Sequence, residues 1–284
     1  ISKTRNTIWH TGSDRAFIIL DVILMALLFL IMVYPLLYVV ASSFSGGKVL
    51  SGLSLIPQRF SLDGYTSVFQ YPYTWGSIWN SVLYTAVGTA MAMVVTILCA
   101  YGLSQNFPFG KVCMTLCLIT MYFGGGLIPT YLQIKSIGLL NKSYTMIFLG
   151  GFSIYNMIIT RVYFESSIPN ELYESAYMDG ADEFTCFFRI GLPLSKAIVS
   201  VIALYYSVAH WNGYFSALIY LSKAQYYPLQ LVLRNILLLN QGALSMIGDL
   251  TEEEIAFASE AAYRTETMKY ALIFISSAPL LAAY

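Results

Sequence analysis

The sequence predicts an all-α membrane protein of about six transmembrane helices, and three observations carry that prediction. Hydrophobic residues make up 57% of the 284 residues and charged residues only 11%, a balance outside that of soluble domains. The mean hydropathy is +0.65. Charged side chains are also absent from a series of long intervals. Each can hold the roughly 20 apolar residues a helix needs to cross the hydrocarbon core with its backbone bonded internally.

No Asp, Glu, Lys or Arg occurs between Asp21 and Lys48, from Gly64 to Gly110, between Lys111 and Lys135, between Lys142 and Arg161, between Lys196 and Lys223, or after Lys269. The first interval places a span near 17–41. The second opens on a polar, aromatic stretch around Gln70 and Trp75, which moves its helix late, to 79–103. The others place spans near 112–134, 144–163, 198–221 and 268–284. Gly124, Gly125, Gly126 and Pro129 are expected to bend or loosen the third. Residues 1–284 then form a single transmembrane domain with long connections at 42–78, 164–197 and 222–267. No cleavable signal peptide is visible; the start at Ile1 and the apolar end at Tyr284 lead us to expect a trimmed beginning and a longer native C-terminus.

Basic residues give the orientation. Lys3, Arg5 and Arg15 precede the first span and Lys48 follows it, which favours a cytoplasmic N-terminus. That puts 164–197 in the cytoplasm and 42–78 and 222–267 outside. In the latter, Leu231, Ile236, Leu237 and Leu238 can make an apolar helical face, and Glu252, Glu253 and Glu254 read as a solvated surface.

Other classes fail on residues. Fifteen basic against fifteen acidic residues give no footprint for nucleic acid. Cys99, Cys113, Cys117 and Cys186 show no CxxC pairing, so they read as packed thiols rather than a metal site or disulfide framework. His10 and His210 form no HExxH pattern, and no GxSxG elbow is present, so the chain is not expected to be an enzyme. Gly46-Gly47-Lys48 lacks the spacing of a phosphate loop, so an energy source must lie elsewhere. A secondary carrier or channel for a polar solute is the alternative reading. An ion-coupled carrier would bury ionisable groups at mid-membrane, and only Asp21, near a helix end, and His210, which reads as a packing residue, qualify.

Segment 164–197 is the informative connection. Pro169 suits a first helical turn and Gly180 the left-handed residue past a helix end, which frames one short helix. Asp182 can cap a second, in which Phe184, Phe187 and Phe188 form one apolar face before Pro193 forces an exit. Such a face must be buried on the chain's own helix ends or in a partner.

Glu174, Ser175, Ala176, Asp179, Gly180, Ile190, Leu192 and Pro193 lie in a stretch that resembles the EAA loop of ABC-importer permeases, departing from its usual form by Ser175 in place of the first Ala. Phe123-Gly124-Gly125-Gly126-Leu127-Ile128-Pro129, Trp211-Asn212-Gly213-Tyr214 and Tyr227-Pro228-Leu229 are similar to the carbohydrate branch, in the manner of the second permease of maltose-type importers. The resemblance covers nearly the whole chain and extends to the subgroup importing complex or uronate-type, alginate-like oligosaccharides. It implies a multi-pass subunit of the bacterial inner membrane that works by alternating access with a second, different permease. Two copies of a cytoplasmic ATPase, holding ATP and Mg²⁺, and an extracytoplasmic solute-binding protein complete the complex; no cofactor is implied on this chain. By the same resemblance Glu174 would face a basic group of the ATPase, Ala176 would permit close contact, Gly180 would make the turn and Pro193 would end the second short helix.

Tyr122, Phe123, Trp211, Asn212 and Tyr214 combine flat apolar faces with polar groups, as a sugar-contacting wall needs, although interfacial aromatic belts account for most Tyr and Trp in such chains. Apart from Arg161 and Lys269 at their ends, the spans offer no Arg or Lys for an acidic sugar. Asn240, Gln241 and Gly242 are the expected tip touching the binding protein, by resemblance. Ala86, Gly88, Ala90 and Ala92 allow close helix contact, within this subunit or against the second permease.

Overall fold

The computed structural model of the chain describes residues 12–46, 55–57, 59–105, 108–245 and 252–283. Within these, the side chains of 12, 13, 239–245, 252–264 and 283 lie outside the description. The chain is helical, in the order α1 (Gly12–Ser43), α2 (Asp63–Gln70), α3 (Thr74–Ser104), α4 (Gly110–Tyr122), α5 (Leu127–Ser136), α6 (Ser143–Phe148) and α7 (Ile154–Ser167). Then come α8 (Asn170–Met178), α9 (Glu183–Cys186), α10 (Leu192–Leu194), α11 (Lys196–Trp211), α12 (Tyr214–Tyr220), α13 (Leu229–Ser245) and α14 (Glu252–Ala283). A π turn at Phe187–Gly191 joins α9 to α10. Among the described residues the one β feature is an antiparallel bridge between Ser45 and Phe60.

Among the described residues two helices, Asp14–Ser43 and Thr74–Ser104, are long and apolar enough to cross a membrane unbroken, and four elements are if each bent pair counts as one span. The sequence anticipated a bent third span and unbroken rods elsewhere, and over 112–134 the chain does bend, by 112° between α4 and α5, across Phe123 and three glycines of which Gly126 has φ +82°. Glycine supplies that conformation without a Cβ penalty. Over 144–163 the helix breaks between α6 and α7, where Gly150 has φ +82°. Over 198–221 it breaks at Asn212 and Gly213, between α11 and α12. The first, second and last helices begin earlier than expected, at Gly12, Thr74 and Glu252.

Two compact units share the chain, the first formed by residues up to 68 with 240–275 and the second by 69–239 with 276–284. In the first, Phe44 stacks on Phe60 at 5.3 Å and meets Tyr65 at 5.2 Å, and Ser43 hydrogen-bonds Tyr65 through their hydroxyls at 2.8 Å. Tyr38 of α1 meets Tyr270 of α14 edge to face at 5.9 Å. Much of α1 is exposed, Phe17 at 70% and Met32 at 70%.

In the second unit α3 is the spine, packed chiefly against α11 and α7. Its small residues divide between two faces. Gly88 and Ala92 are buried, with Ala92 packed among Ile198, Ile202 and Tyr206, whereas Ala86 and Ala90, on the stripe two residues round, are exposed. Thr96 and Tyr206 share a hydroxyl hydrogen bond of 2.6 Å, and the Tyr206 hydroxyl also accepts from Ser153 N–H at 2.9 Å, pinning α3, α11 and the start of α7. The α13 face forms as its spacing predicts for Leu231 and Ile236, both buried, while Leu238 is exposed. His210 packs flat over Gly88: a β carbon there would lie 2.7 Å from the imidazole Cε1. Its Nε2 is buried and, among the described residues, has no hydrogen-bond partner. Cys186 is buried and Cys99 is exposed, so the packed-thiol expectation does not extend to every cysteine.

Candidate functional site

Local chemistry builds the helix-turn-helix between α7 and α11. Pro169 stands one place before α8, extended at ψ 134°, rather than in its first turn. At the other end Gly180 has φ +83°, Gly180 N–H donates to Tyr177 O at 3.0 Å and Ala181 N–H donates to Ala176 O at 2.9 Å. Those two bonds are a Schellman closure, which satisfies carbonyls that the helix end leaves free. Two residues later Asp182 caps α9, accepting from Thr185 N–H at 3.0 Å. Hydrogen bonds from the Thr185 side chain and N–H hold the Asp182 carboxyl below its usual range. The Tyr177 hydroxyl donates to Glu183 Oε1 at 2.8 Å, bracing α8 against α9. Burial, then the Glu183 carboxylate, push that phenol up.

The second helix does not end at Pro193. It passes through the π turn and α10, then turns by 78° at Ser195 into α11. Leu192 N–H bonds to Phe187 O, five residues back, and this wider turn leads into Pro193, which has no N–H for the regular ladder. The predicted phenylalanine face is divided between the chain's own core and the surface. Phe187 is buried, whereas Phe184 is 73% exposed and Phe188 is exposed.

The expected coupling residues therefore separate by environment. Glu174, Ser175, Asp179, Gly180 and Pro193 are exposed; Ala176, Ile190 and Leu192 are half-buried against the chain's own core of Tyr101, Phe164, Tyr173 and Phe187. The small side chain at Ala176 thus serves packing inside this subunit. Met178, at the end of α8, is 89% exposed. Arg161, which forms an ion pair with Glu165 at 2.7 Å, donates through Nε to Leu103 O at 2.9 Å and ties α7 to the end of α3.

The candidate sugar wall does not stay together. Tyr122 and Phe123 are widely exposed at the α4–α5 bend, and Asn212 and Tyr214 are exposed at the α11–α12 break. Trp211 is buried, its indole N–H donating to Ser276 O at 2.8 Å, so it has no face to offer a solute. Asn240, Gln241 and Gly242 fall on the backbone of α13, and their side chains lie outside the described residues. Tyr101, Tyr173 and Gly191, which join the helix-turn-helix to α3, were not singled out by sequence. The available signal was a glycine flanked by helical Ile190 and Leu192.

No protein-family model matches the chain. It is 38% identical over 258 residues to the polygalacturonan/rhamnogalacturonan transport system permease protein YtcP of Bacillus subtilis (strain 168), covering 90% of this chain and 87% of that one. Protein LplC of the same organism is 35% identical over 282 residues, covering 98% of this chain and 92% of its own. Among solved structures, a chain in a bacterial ABC transporter involved in the import of the acidic polysaccharide alginate superposes with a TM-score of 0.84 at 29% identity, over 98% of this chain and 97% of that chain. A chain from a bacterial alginate ABC transporter in complex with an alginate pentasaccharide-bound periplasmic protein shares the fold, with a TM-score of 0.59 at 15% identity.

Proposed function

We propose that this chain, which belongs to the permease subunits of carbohydrate ABC transporters, is one half of a heteromeric pathway that imports an oligosaccharide by alternating access. It is a membrane protein, and we place it as a multi-pass subunit of the bacterial plasma membrane. The observation that carries the coupling role is the projecting α8–α9 turn: closed by its own caps, yet leaving Met178 at 89% and Phe184 at 73% exposure. Exposed apolar groups beside Glu174, on a segment anchored in the core by the buried Tyr173 and Phe187, fit a socket in a cytoplasmic ATPase carrying ATP and Mg²⁺. Two copies of that ATPase, closing on ATP, would displace α8 and turn the membrane helices outward; hydrolysis would reset them.

The outward stripe of Ala86 and Ala90 fits close packing against the second permease. Tyr122, Phe123, Asn212 and Tyr214 remain the candidates for the solute route, Trp211 being withdrawn. For the solute itself, the acidic polymers in the names of YtcP and the alginate importer support a uronate-type oligosaccharide. With Arg and Lys confined to the span ends, hydroxyl and ring contacts rather than ion pairs would recognise it. An extracytoplasmic binding protein would deliver it, as in the alginate complex.

The test is mild-detergent purification of the tagged chain from its native membrane, with assay of co-purified proteins and ATP hydrolysis. Glu174→Lys and Phe184→Ser should strip the ATPase from the complex while leaving the chain in the membrane. A lone chain, or an ATPase retained by both variants, would overturn the coupling role. Uptake of oligogalacturonides in preference to maltotriose checks the solute class.

A further inference from the structure

The coupling reading leaves open how movement of α8 reaches the membrane helices, and one cluster answers it. Tyr173 is the one buried residue of α8. Its ring lies 6.3 Å from that of Tyr101, near the end of α3, and Tyr101 also meets Phe164 of α7 at 5.5 Å and Phe187 of the π turn at 4.9 Å. One ring on α3 thus touches α7, α8 and the second arm of the loop. Gly191 closes the cluster from below: it is buried, and a β carbon there would lie 3.2 Å from Tyr101 Cε2 and 3.2 Å from the Tyr173 hydroxyl.

Backbone conformation does not require that glycine. Gly191 sits at φ −57° and ψ −58°, ordinary helical values at which alanine is the better residue. What requires it is the approach of two tyrosines. The Tyr101 and Tyr173 hydroxyls are both buried and, among the described residues, find no hydrogen-bond partner. A directional bond would pin one ring on the other, whereas contact through dispersion alone passes a push but fixes no angle.

We propose that Tyr101, Tyr173 and Gly191 form the bearing through which displacement of α8 is passed to α3 and α7, as positioning residues of the transport cycle; this rests on the coupling role of α8. The side-chain-free surface at Gly191 lets Tyr173 roll under Tyr101 as α8 moves.

The experiment uses the full complex in liposomes, with a spin label at Val82, exposed on α3, and three readouts: co-purified ATPase, ATP hydrolysis and the ATP-dependent change in the label's spectrum. In Gly191→Ala, ATPase binding and hydrolysis persist while the spectral response falls about threefold or more, the size expected when touching residues are coupled. Adding Tyr173→Phe removes the hydroxyl that the new methyl meets and restores the response. If the unaltered complex retains no ATPase, the coupling role itself fails. If the unaltered complex responds and Gly191→Ala responds equally, or Tyr173→Phe gives no rescue, the bearing fails and the coupling role stands. Should Gly191→Ala not assemble, Tyr101→Trp in its place decides: a bulkier ring at the same contact must lower the response with ATPase bound, and an unchanged response overturns the proposal.

Discussion

Substitution at Gly180 isolates the geometry of the coupling turn, because nothing but backbone conformation is at stake there. A β carbon at Gly180 would meet no atom within 4 Å, so a change to alanine brings no clash. It does force an L-residue to hold φ +83°. Left-handed conformation costs such a residue about 1–2 kcal/mol, which shifts the closed form of the turn against its alternatives by a factor of roughly 5–30. Asparagine tolerates this region, so Gly180→Asn should lose less. Proline cannot reach a positive φ and also deletes the N–H that bonds Tyr177 O at 3.0 Å. Coupling, measured as solute taken up per ATP hydrolysed in proteoliposomes, should therefore fall in the order Gly, Asn, Ala, Pro, with the ATPase still bound in the first three. Equal coupling for Gly180→Ala and the unaltered chain, or an asparagine variant worse than alanine, would refute the reasoning.

Two further outcomes follow from cited geometry. Gly88→Ala places a methyl about 2.7 Å from the His210 ring; overpacking of about 1–3 kcal/mol outweighs a helix-propensity gain of about 1 kcal/mol, and thermal unfolding in detergent should show a lower midpoint that His210→Ala restores. The Asp182 cap has a depressed pKa, so its contribution is complete above the ordinary aspartate range and is lost as pH falls through the lowered value. Proteolysis of the α8–α9 turn should accelerate over that acidic window, and Asp182→Asn, still a capping residue, should remove this part of the pH dependence.

Local chemistry was legible and long-range packing was not. Gly180 and Asp182 declare themselves because a C-terminal closure and an N-cap need only their own few residues. The phenylalanine face misled, since the spacing of 184, 187 and 188 shows that they share a face but not that only Phe187 meets the chain's own core while Phe184 and Phe188 stay exposed. Trp211 misled for another reason: its type fits a sugar wall and a buried anchor equally, and only the carbonyl of Ser276, 65 residues away, decides. Continuous apolar runs likewise marked where helices lie, and the glycine triplet at 124–126 announced its own bend, but a lone glycine pair at 150–151 gave no such signal for the break there.

These particulars place the mechanical burden on α3. Its buried stripe at Gly88 and Ala92 fastens it to α11 through His210, Ile202 and Tyr206, and its last turn carries Tyr101 and the Leu103 carbonyl that α7 grips through Arg161. A helix fixed along its length to α11 and at its end to α7 cannot slide independently of either. On the proposed coupling, a displacement delivered at Tyr101 would therefore move the three helices as a body, and the compliant points left to absorb the motion would be the breaks at Gly150 and Gly213 and the 112° bend at Gly124, Gly125 and Gly126. Two of the three, the bend and the α11–α12 break, are where Tyr122, Phe123, Asn212 and Tyr214 stand exposed. The residues free to meet a solute are thus those that a rigid turn of α3, α7 and α11 would reposition.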